Sequence, residues 1–429
     1  MYEVSFRGKL KGILRVPSDK SISHRSIMLA SLNQGKVIVK NFLRSEDCLN
    51  TLKAFKSLGV DIEDDGKIIM IRGKGKILKE PFDILDMGNS GTSIRLISGI
   101  LAGQPFYSVL TGDKYLRKRP MDRIAIPLRQ MGATVLGREN GKYPPLTIVG
   151  RNPLNGIVYR SPKASAQVKS CILLAGLFTD EEVSVTEPAK SRDHTERMLK
   201  TFGVDVKVDG LTVSLGRNRD LKADLEIDVP ADISSAAFFM VAAAIVPGSE
   251  VVLKDVILNP TRTGILDVMG RMGVNFEILN KRTVSGEEVG DIKVLYSPDL
   301  KAVVIEGDII PRLIDEIPII AVLATQAEGE TVIKEAAELR VKESDRIRAV
   351  VSNLKVLGVD VEEFEDGMRI RGKAKLKGGK IKSFGDHRIA MSFIVAGLIS
   401  SSPIYIDDVQ CISTSYPEFL KDFFNIIAP

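Results

Sequence analysis

The sequence contains no tryptophan, three cysteines and three histidines among 429 residues. Cys48, Cys171 and Cys411 lie far apart and form no C-x-x-C pair, so no disulfide framework or zinc site is expected, and a reducing compartment is. His24, His194 and His387 are too few for a His-rich metal site. No apolar stretch reaches the length of a membrane span; the longest, residues 236–246, is too short. Met1-Tyr2-Glu3-Val4-Ser5-Phe6-Arg7 has no apolar core of the signal-peptide kind. These absences point to a cytoplasmic protein. Charge is also nearly balanced, with 60 Lys and Arg against 55 Asp and Glu, a net of +5. That argues against a dedicated nucleic-acid binder but leaves room for a local cationic site. No stretch is of low complexity, and no P-loop spacing occurs.

What the chain does have is repetition. A pattern of small polar residues, an apolar helix of about three turns, a turn and a β-rich strand recurs six times. The copies open at Ser18, Gly88-Asn89-Ser90-Gly91-Thr92, Ser165-Ala166-Gln167, Asp232-Ile233-Ser234-Ser235, Ile314-Asp315-Glu316 and Gly385-Asp386-His387-Arg388. Between them, amphipathic helices end in a glycine suited to a C′ position, as in Leu58-Gly59 and Phe202-Gly203. Hairpin signals follow at Asp65-Gly66, Asn140-Gly141, Asp209-Gly210 and Asp366-Gly367. Each unit therefore reads as helix, strand, helix, hairpin. The fold class is α/β, with two similar domains, each of three αβ units around a pseudo-threefold axis. The domains are predicted as 16–229 and 1–15 plus 230–429. The opening strand, Tyr2 to Val16, could pair with either half.

The ionisable residues gather at the helix starts. Pro17-Ser18-Asp19-Lys20-Ser21-Ile22-Ser23-His24-Arg25 places N-cap residue types and two cations at a helix N-terminus, where unpaired N–H groups and the dipole favour anions. Arg95, Arg117-Lys118-Arg119-Pro120, Lys169 and Ser191-Arg192-Asp193-His194 add to this in the first half. Asp315, Arg340-Val341-Lys342-Glu343-Ser344-Asp345-Arg346 and Asp386-His387-Arg388 do so in the second. Each alone also reads as a solvated turn or a structural residue. Together, if units share an axis, their starts converge, and about six like charges would be gathered until an anionic substrate neutralised them.

Four of these stretches resemble the signatures of the two-domain enolpyruvyl transferases, in order along nearly the whole chain. They are residues 17–25, Gly88-Asn89-Ser90-Gly91-Thr92-Ser93-Ile94-Arg95, residues 340–346 and Asp386-His387-Arg388-Ile389-Ala390-Met391. The most specific likeness is to the 5-enolpyruvylshikimate-3-phosphate synthases. Gly112-Asp113-Lys114, Ser165-Ala166-Gln167-Val168-Lys169, Arg192-Asp193-His194-Thr195-Glu196 and Asn259-Pro260-Thr261-Arg262 look like the glyphosate-tolerant subgroup. One departure is Thr414-Ser415 before Tyr416-Pro417, where some members place a lysine.

The resemblance implies transfer of the enolpyruvyl group of phosphoenolpyruvate to the 5-hydroxyl of shikimate 3-phosphate, with release of phosphate. It implies no metal or other cofactor, two small-molecule substrates, no nucleic-acid or membrane partner, and a monomer. Shikimate 3-phosphate would be held by Lys20, Ser21, Arg25, Ser165, Ala166, Gln167 and Arg192, with Asp315 and Lys342 from the second half. Phosphoenolpyruvate would meet Lys20, Gly91, Arg119, Gln167, Arg346 and Arg388. Asp315, Glu343 and Lys20 would serve catalysis, Asp315 as base and Glu343 as acid. Two other readings stay open at this point. The sister transferase acting on UDP-N-acetylglucosamine carries Lys-Asn where this chain has Lys20-Ser21, and usually a cysteine near 114–119. A ring-shaped DNA clamp also has six similar units, but would spread its cations along helices rather than gather them at helix starts.

Overall fold

Six helices begin at the repeat starts: α1 (Lys20–Leu32), α2 (Gly91–Ala102), α3 (Ala166–Ala175), α4 (Ile233–Ile245), α5 (Ile317–Ala324) and α6 (His387–Gly397). The structure is a computed structural model and describes residues 1–5 and 8–428. The apolar character of these helices is explained by their burial. α4, α5 and α6 are buried along their whole length. In α1 only Lys20 and Ser21 are not buried, in α2 only Thr92, and in α3 only Ala166 and Gln167. The second helices are amphipathic. In Asp122–Gln130, for example, Ile124, Ala125, Pro127 and Leu128 turn inward while charges face out. The glycines that end five such helices, Gly59, Gly132, Gly203, Gly273 and Gly358, all have φ between 81° and 94°, a conformation that a side chain disfavours.

The chain divides into two units. One comprises Met1–Pro17, Pro230–Thr283 and Glu288–Pro429; the other comprises Ser18–Val229 and Val284–Glu287. Val16 and Pro17, expected in the N-terminal domain, thus cluster with the C-terminal unit.

In the N-terminal unit each of three four-stranded sheets has the same plan. A short edge strand runs parallel to the strand after the core helix, and that strand pairs antiparallel with a hairpin. In the second repeat, Leu85–Asp86 runs parallel to Tyr107–Thr111, which pairs with Tyr143–Val149 and through it with Thr134–Gly137. The repeat is therefore strand, helix, strand, helix, hairpin; the sequence reading missed the edge strand, which here is two residues long. The C-terminal unit repeats the plan in sheets of five, four and three strands. The hairpin of its five-stranded sheet turns at Ser285 and Gly286, both at positive φ, without an Asn-Gly or Asp-Gly signal; the turn itself, Val284–Glu287, belongs to the other unit.

The opening stretch is two strands rather than one, and Phe6 and Arg7 within it lie outside the described residues. Tyr2–Val4 pairs with Ile404–Ile406 and completes the last sheet. Lys9–Leu14 runs parallel to Glu250–Ile257 in the fourth repeat. The matching edge position of the first repeat is filled by Leu225–Asp228, parallel to Lys36–Lys40. The strand before α1 thus serves the sheet of α4, and the strand before α4 serves the sheet of α1.

Within each unit the three core helices pack together around the pseudo-threefold axis. In the N-terminal unit α2 and α3 approach so closely that a Cβ on Gly99 would lie 2.2 Å from the Cys171 carbonyl oxygen. In the C-terminal unit Phe239 of α4 packs with Tyr416, Phe419 and Phe423. Among the described residues no helix is long and apolar enough to cross a membrane. Because backbone cannot yield at Gly99 as a side-chain tip could, Gly99→Ala should destabilise the N-terminal unit by about 1–3 kcal/mol. A lowered urea midpoint in denaturation of the variant is the expected reading.

Candidate active site

In the N-terminal unit the starts of α1, α2 and α3 are joined by side chains. Gln167 donates to Thr92 Oγ1 (2.9 Å) and accepts from Arg95 Nη1 (2.5 Å). Arg95 also donates to the Pro120 carbonyl (2.9 Å), next to Arg119. Arg25 is buried and fully engaged: Nε to Thr195 Oγ1 (2.7 Å), Nη1 to the Ser21 carbonyl (2.9 Å) and Nη2 to Ser170 Oγ (3.0 Å). Lys20 opens α1 and lies 2.9 Å from Asp47 Oδ2. The Arg119 guanidinium occupies the space where Gly91 would carry a side chain: a Cβ there would be 2.5 Å from Nη1. Ser165 is the N-cap of α3 and makes no side-chain cap bond, whereas Asp19 and Ser90 cap α1 and α2. The solvent-reachable part of these three helices is confined to the first-turn residues Lys20, Ser21, Thr92, Ala166 and Gln167. Arg192 lies in the half-buried loop ahead of helix His194–Thr201.

The same unit holds a buried ionic cluster. Lys169 Nζ lies 2.8 Å from Glu187 Oε2 and 2.7 Å from Glu196 Oε1, all three side chains being at most 4% exposed. Burial works against the charge on Lys169, but Glu196 and Glu187 outweigh it and hold its pKa above the ordinary lysine value. Burial raises the Glu196 pKa despite Lys169. His24 is buried against Thr51 Oγ1 (2.8 Å). Burial, with Lys20 and Arg25, drives its pKa well below the usual histidine range, so it is neutral at pH 7. His194 pairs with Glu287 at 2.8 Å.

In the C-terminal unit Arg346 organises the other group. It is 1% exposed and donates to three carboxylates: Asp315 Oδ1 from Nη1 (3.0 Å), Glu343 Oε2 from Nη2 (2.8 Å) and Asp386 Oδ2 from Nε (2.8 Å). Burial opposes the charge, yet these three acids raise its pKa above the ordinary arginine value. Burial likewise disfavours ionised Asp386, but Arg346 prevails and lowers its pKa. Lys342 stands 3.6 Å from Asp315, and burial lowers its pKa. Arg388, the second residue of α6, donates to the Asp315 carbonyl (3.3 Å). Asp386 also caps α6 through the Arg388 N–H (2.9 Å). Among the described residues no group of three or more His, Cys, Asp or Glu is arranged to hold a metal ion.

The helix starts in each unit thus converge, but not as a bare cluster of like charges. Lys20, Lys169 and Arg346 are each held by carboxylates, because a buried cation without one costs several kcal/mol. Asp47 and Glu187 were missed by sequence reasoning, and Glu196 stood in the 192–196 motif without its pairing to Lys169 being visible. Glu46 and Asp47 look like ordinary acids in the first turn of a surface helix, and the partners are joined only by the fold. Asp386 was visible in a motif, but its bond to Arg346 spans 40 residues.

Three comparisons bear on this arrangement. The family profile of EPSP synthase (3-phosphoshikimate 1-carboxyvinyltransferase) matches residues 4–423. The 3-phosphoshikimate 1-carboxyvinyltransferase of Geotalea uraniireducens is 54% identical over 429 residues, 100% of this chain and 99% of the relative. That of Bacillus licheniformis is 55% identical over 420 residues, 97% of each chain. A solved EPSP synthase structure from Acinetobacter baumannii superposes with a TM-score of 0.88 at 48% identity, covering 99% of this chain and 97% of the other. The chain belongs to the EPSP synthase (3-phosphoshikimate 1-carboxyvinyltransferase) family.

Proposed function

We propose that this chain is a 3-phosphoshikimate 1-carboxyvinyltransferase, acting as a cytoplasmic monomer in the shikimate route to aromatic amino acids. It joins the 5-hydroxyl oxygen of shikimate 3-phosphate to C2 of phosphoenolpyruvate, and the tetrahedral adduct then loses phosphate. The observation that carries the reading is the pair of carboxylates, Asp315 and Glu343, bound to the two terminal nitrogens of one buried guanidinium, Arg346. Such a frame holds a base and an acid at fixed separation.

In this reading the N-terminal unit binds shikimate 3-phosphate through Lys20, Ser21, Arg25, Ser165, Ala166, Gln167 and Arg192. The uncapped start of α3 offers its N–H groups to an anion. Arg25 already spends three of its nitrogens on protein partners, so its part is chiefly to fix Ser21 and to supply charge. Phosphoenolpyruvate is held by Lys20, Gly91, Arg119, Gln167, Arg346 and Arg388. Lys20, beside Asp47, touches both substrates.

Asp315, with Lys342 beside it, faces the 5-hydroxyl and takes its proton as the C2–O bond forms. Glu343 gives a proton to C3, making it a methyl group. In the second step the C2–O bond to phosphate breaks, phosphate leaves with the proton that Asp315 took from the hydroxyl, and a methyl proton returns to Glu343, restoring the double bond. Arg346 favours the ionised form of both carboxylates.

The sister reaction on UDP-N-acetylglucosamine and the DNA clamp are not retained. The family match excludes the clamp, and no cysteine occupies 114–119.

Three outcomes test the reading. Mixing the chain with phosphoenolpyruvate and shikimate 3-phosphate should release inorganic phosphate, measured colorimetrically, with none from phosphoenolpyruvate alone; silence with both substrates would refute the function. Glu343→Gln keeps a hydrogen-bond acceptor for Arg346 and should fold normally while kcat falls by roughly 10²–10⁴, the usual scale of general acid–base catalysis; near-normal turnover would remove Glu343 from proton transfer. Gly91→Ala should displace the Arg119 guanidinium, a flexible tip, without unfolding the chain. Its KM for phosphoenolpyruvate should then rise about tenfold, the scale of one lost charged hydrogen bond, with that for shikimate 3-phosphate little changed.

A further inference from the structure

We infer that Glu187 is a positioning residue that locks together the two loops assigned to shikimate 3-phosphate, with Lys169 fixing its carboxylate from the interior; this rests on the function proposed above. Glu187 follows strand Val183–Thr186 and is buried, so it acts through its neighbours. Its Oε1 accepts the backbone N–H of Ser165 (3.0 Å) and the hydroxyl of Ser191 (2.6 Å). Its Oε2 lies 2.8 Å from both Ser191 Oγ and Lys169 Nζ. Ser165 stands at the N-cap position of α3, beside Ala166 and Gln167, without capping it. Ser191 immediately precedes Arg192. One carboxylate therefore sets the spacing between the helix start and the arginine loop that are to grip the same ligand.

The network extends one step further. Lys169 also holds Glu196, in the first turn of the helix whose Thr195 accepts from Arg25. Ser165, Arg192 and Arg25 are thus referred to one frame. A charge cluster of this kind is a poor way to gain stability, since apolar residues of similar volume often do as well or better. What it supplies is direction: hydrogen bonds fix orientation where apolar contacts do not.

The test is steady-state kinetics of Glu187→Gln and Ser191→Ala, each substrate varied in turn. Glu187→Gln leaves Lys169 paired with Glu196, so no cation is stranded in the interior. Ser191→Ala cuts only the link to the Arg192 loop. In both variants KM for shikimate 3-phosphate should rise on the order of tenfold, as for loss of a hydrogen bond to a charged group, with KM for phosphoenolpyruvate held within about twofold. The double variant should be little worse than the worse single one, because both act on one link. An unmoved KM for shikimate 3-phosphate, or an equal rise for both substrates, would overturn the inference. Should circular dichroism show Glu187→Gln unfolded, Ser191→Ala decides alone. Wild-type protein that releases no phosphate would refute the proposed function and this inference with it; active wild type with unmoved variants refutes only this inference.

Discussion

A cation is costly to bury in a protein interior unless an acid or a full set of hydrogen-bond acceptors goes with it, and that constraint organises both units of this molecule. Arg346 is almost inaccessible and binds three carboxylates. Lys169 is as deeply placed and binds two. These pairings connect elements far apart in sequence, so they bring helix starts and intervening loops to one place. The first-turn residues proposed to bind an anion are the part of this construction left within reach of solvent. Lys20, Ser21, Ala166 and Gln167 are the only first-turn residues of α1 and α3 that are not buried, while the rest of each helix is committed to the core.

Helix ends show the same division of labour. Asp19, Asp232 and Asp386 cap α1, α4 and α6 through their own side chains, so those N-termini are already answered by an acid of the chain. The N-termini of α3 and α5 have no such cap, and that of α5 opens on Ile317-Pro318. The unanswered dipole at the start of α3 is consistent with the proposal that Ser165-Ala166-Gln167 contacts phosphate. Asp386 does two things at once, capping α6 and holding Arg346, which couples the orientation of a helix to that of a side chain in another repeat.

Much of this was legible in the sequence, and the part that was not has a common cause. The core helices announced themselves as apolar runs between polar starts, and Gly59, Gly132, Gly203, Gly273 and Gly358 marked the ends of the amphipathic ones. Those are local signals. The edge strands Leu85–Asp86 and Val304–Ile305 are two residues long, too short for any alternation to register. The hairpin at Ser285-Gly286 used a turn pair that propensity ranks below Asn-Gly. Asp47 and Glu187 have no local signature, and the motif holding Glu196 does not show its partner, because their meaning lies 27, 18 and 27 positions away, as in Lys20 with Asp47 or Lys169 with Glu187 and Glu196. The expectation of a repelling cluster of cations failed for the same reason: counting charges along the chain does not reveal which are paired.

The exchanged edge strands have a consequence for how the chain must be made. Lys9–Leu14 is synthesised near the beginning but belongs beside Glu250–Ile257. Leu225–Asp228 belongs beside Lys36–Lys40. On a ribosome, the first repeat, whose own strands end at Arg72, cannot finish its sheet until Leu225–Asp228 has emerged, and the segment ahead of it must wait longer still with its ladder groups exposed. Pairings so distant along the chain slow folding. The N-terminal unit therefore becomes complete only at its last strand, and a nascent chain interrupted before residue 225 would carry an open sheet edge, a template for pairing with the wrong neighbour.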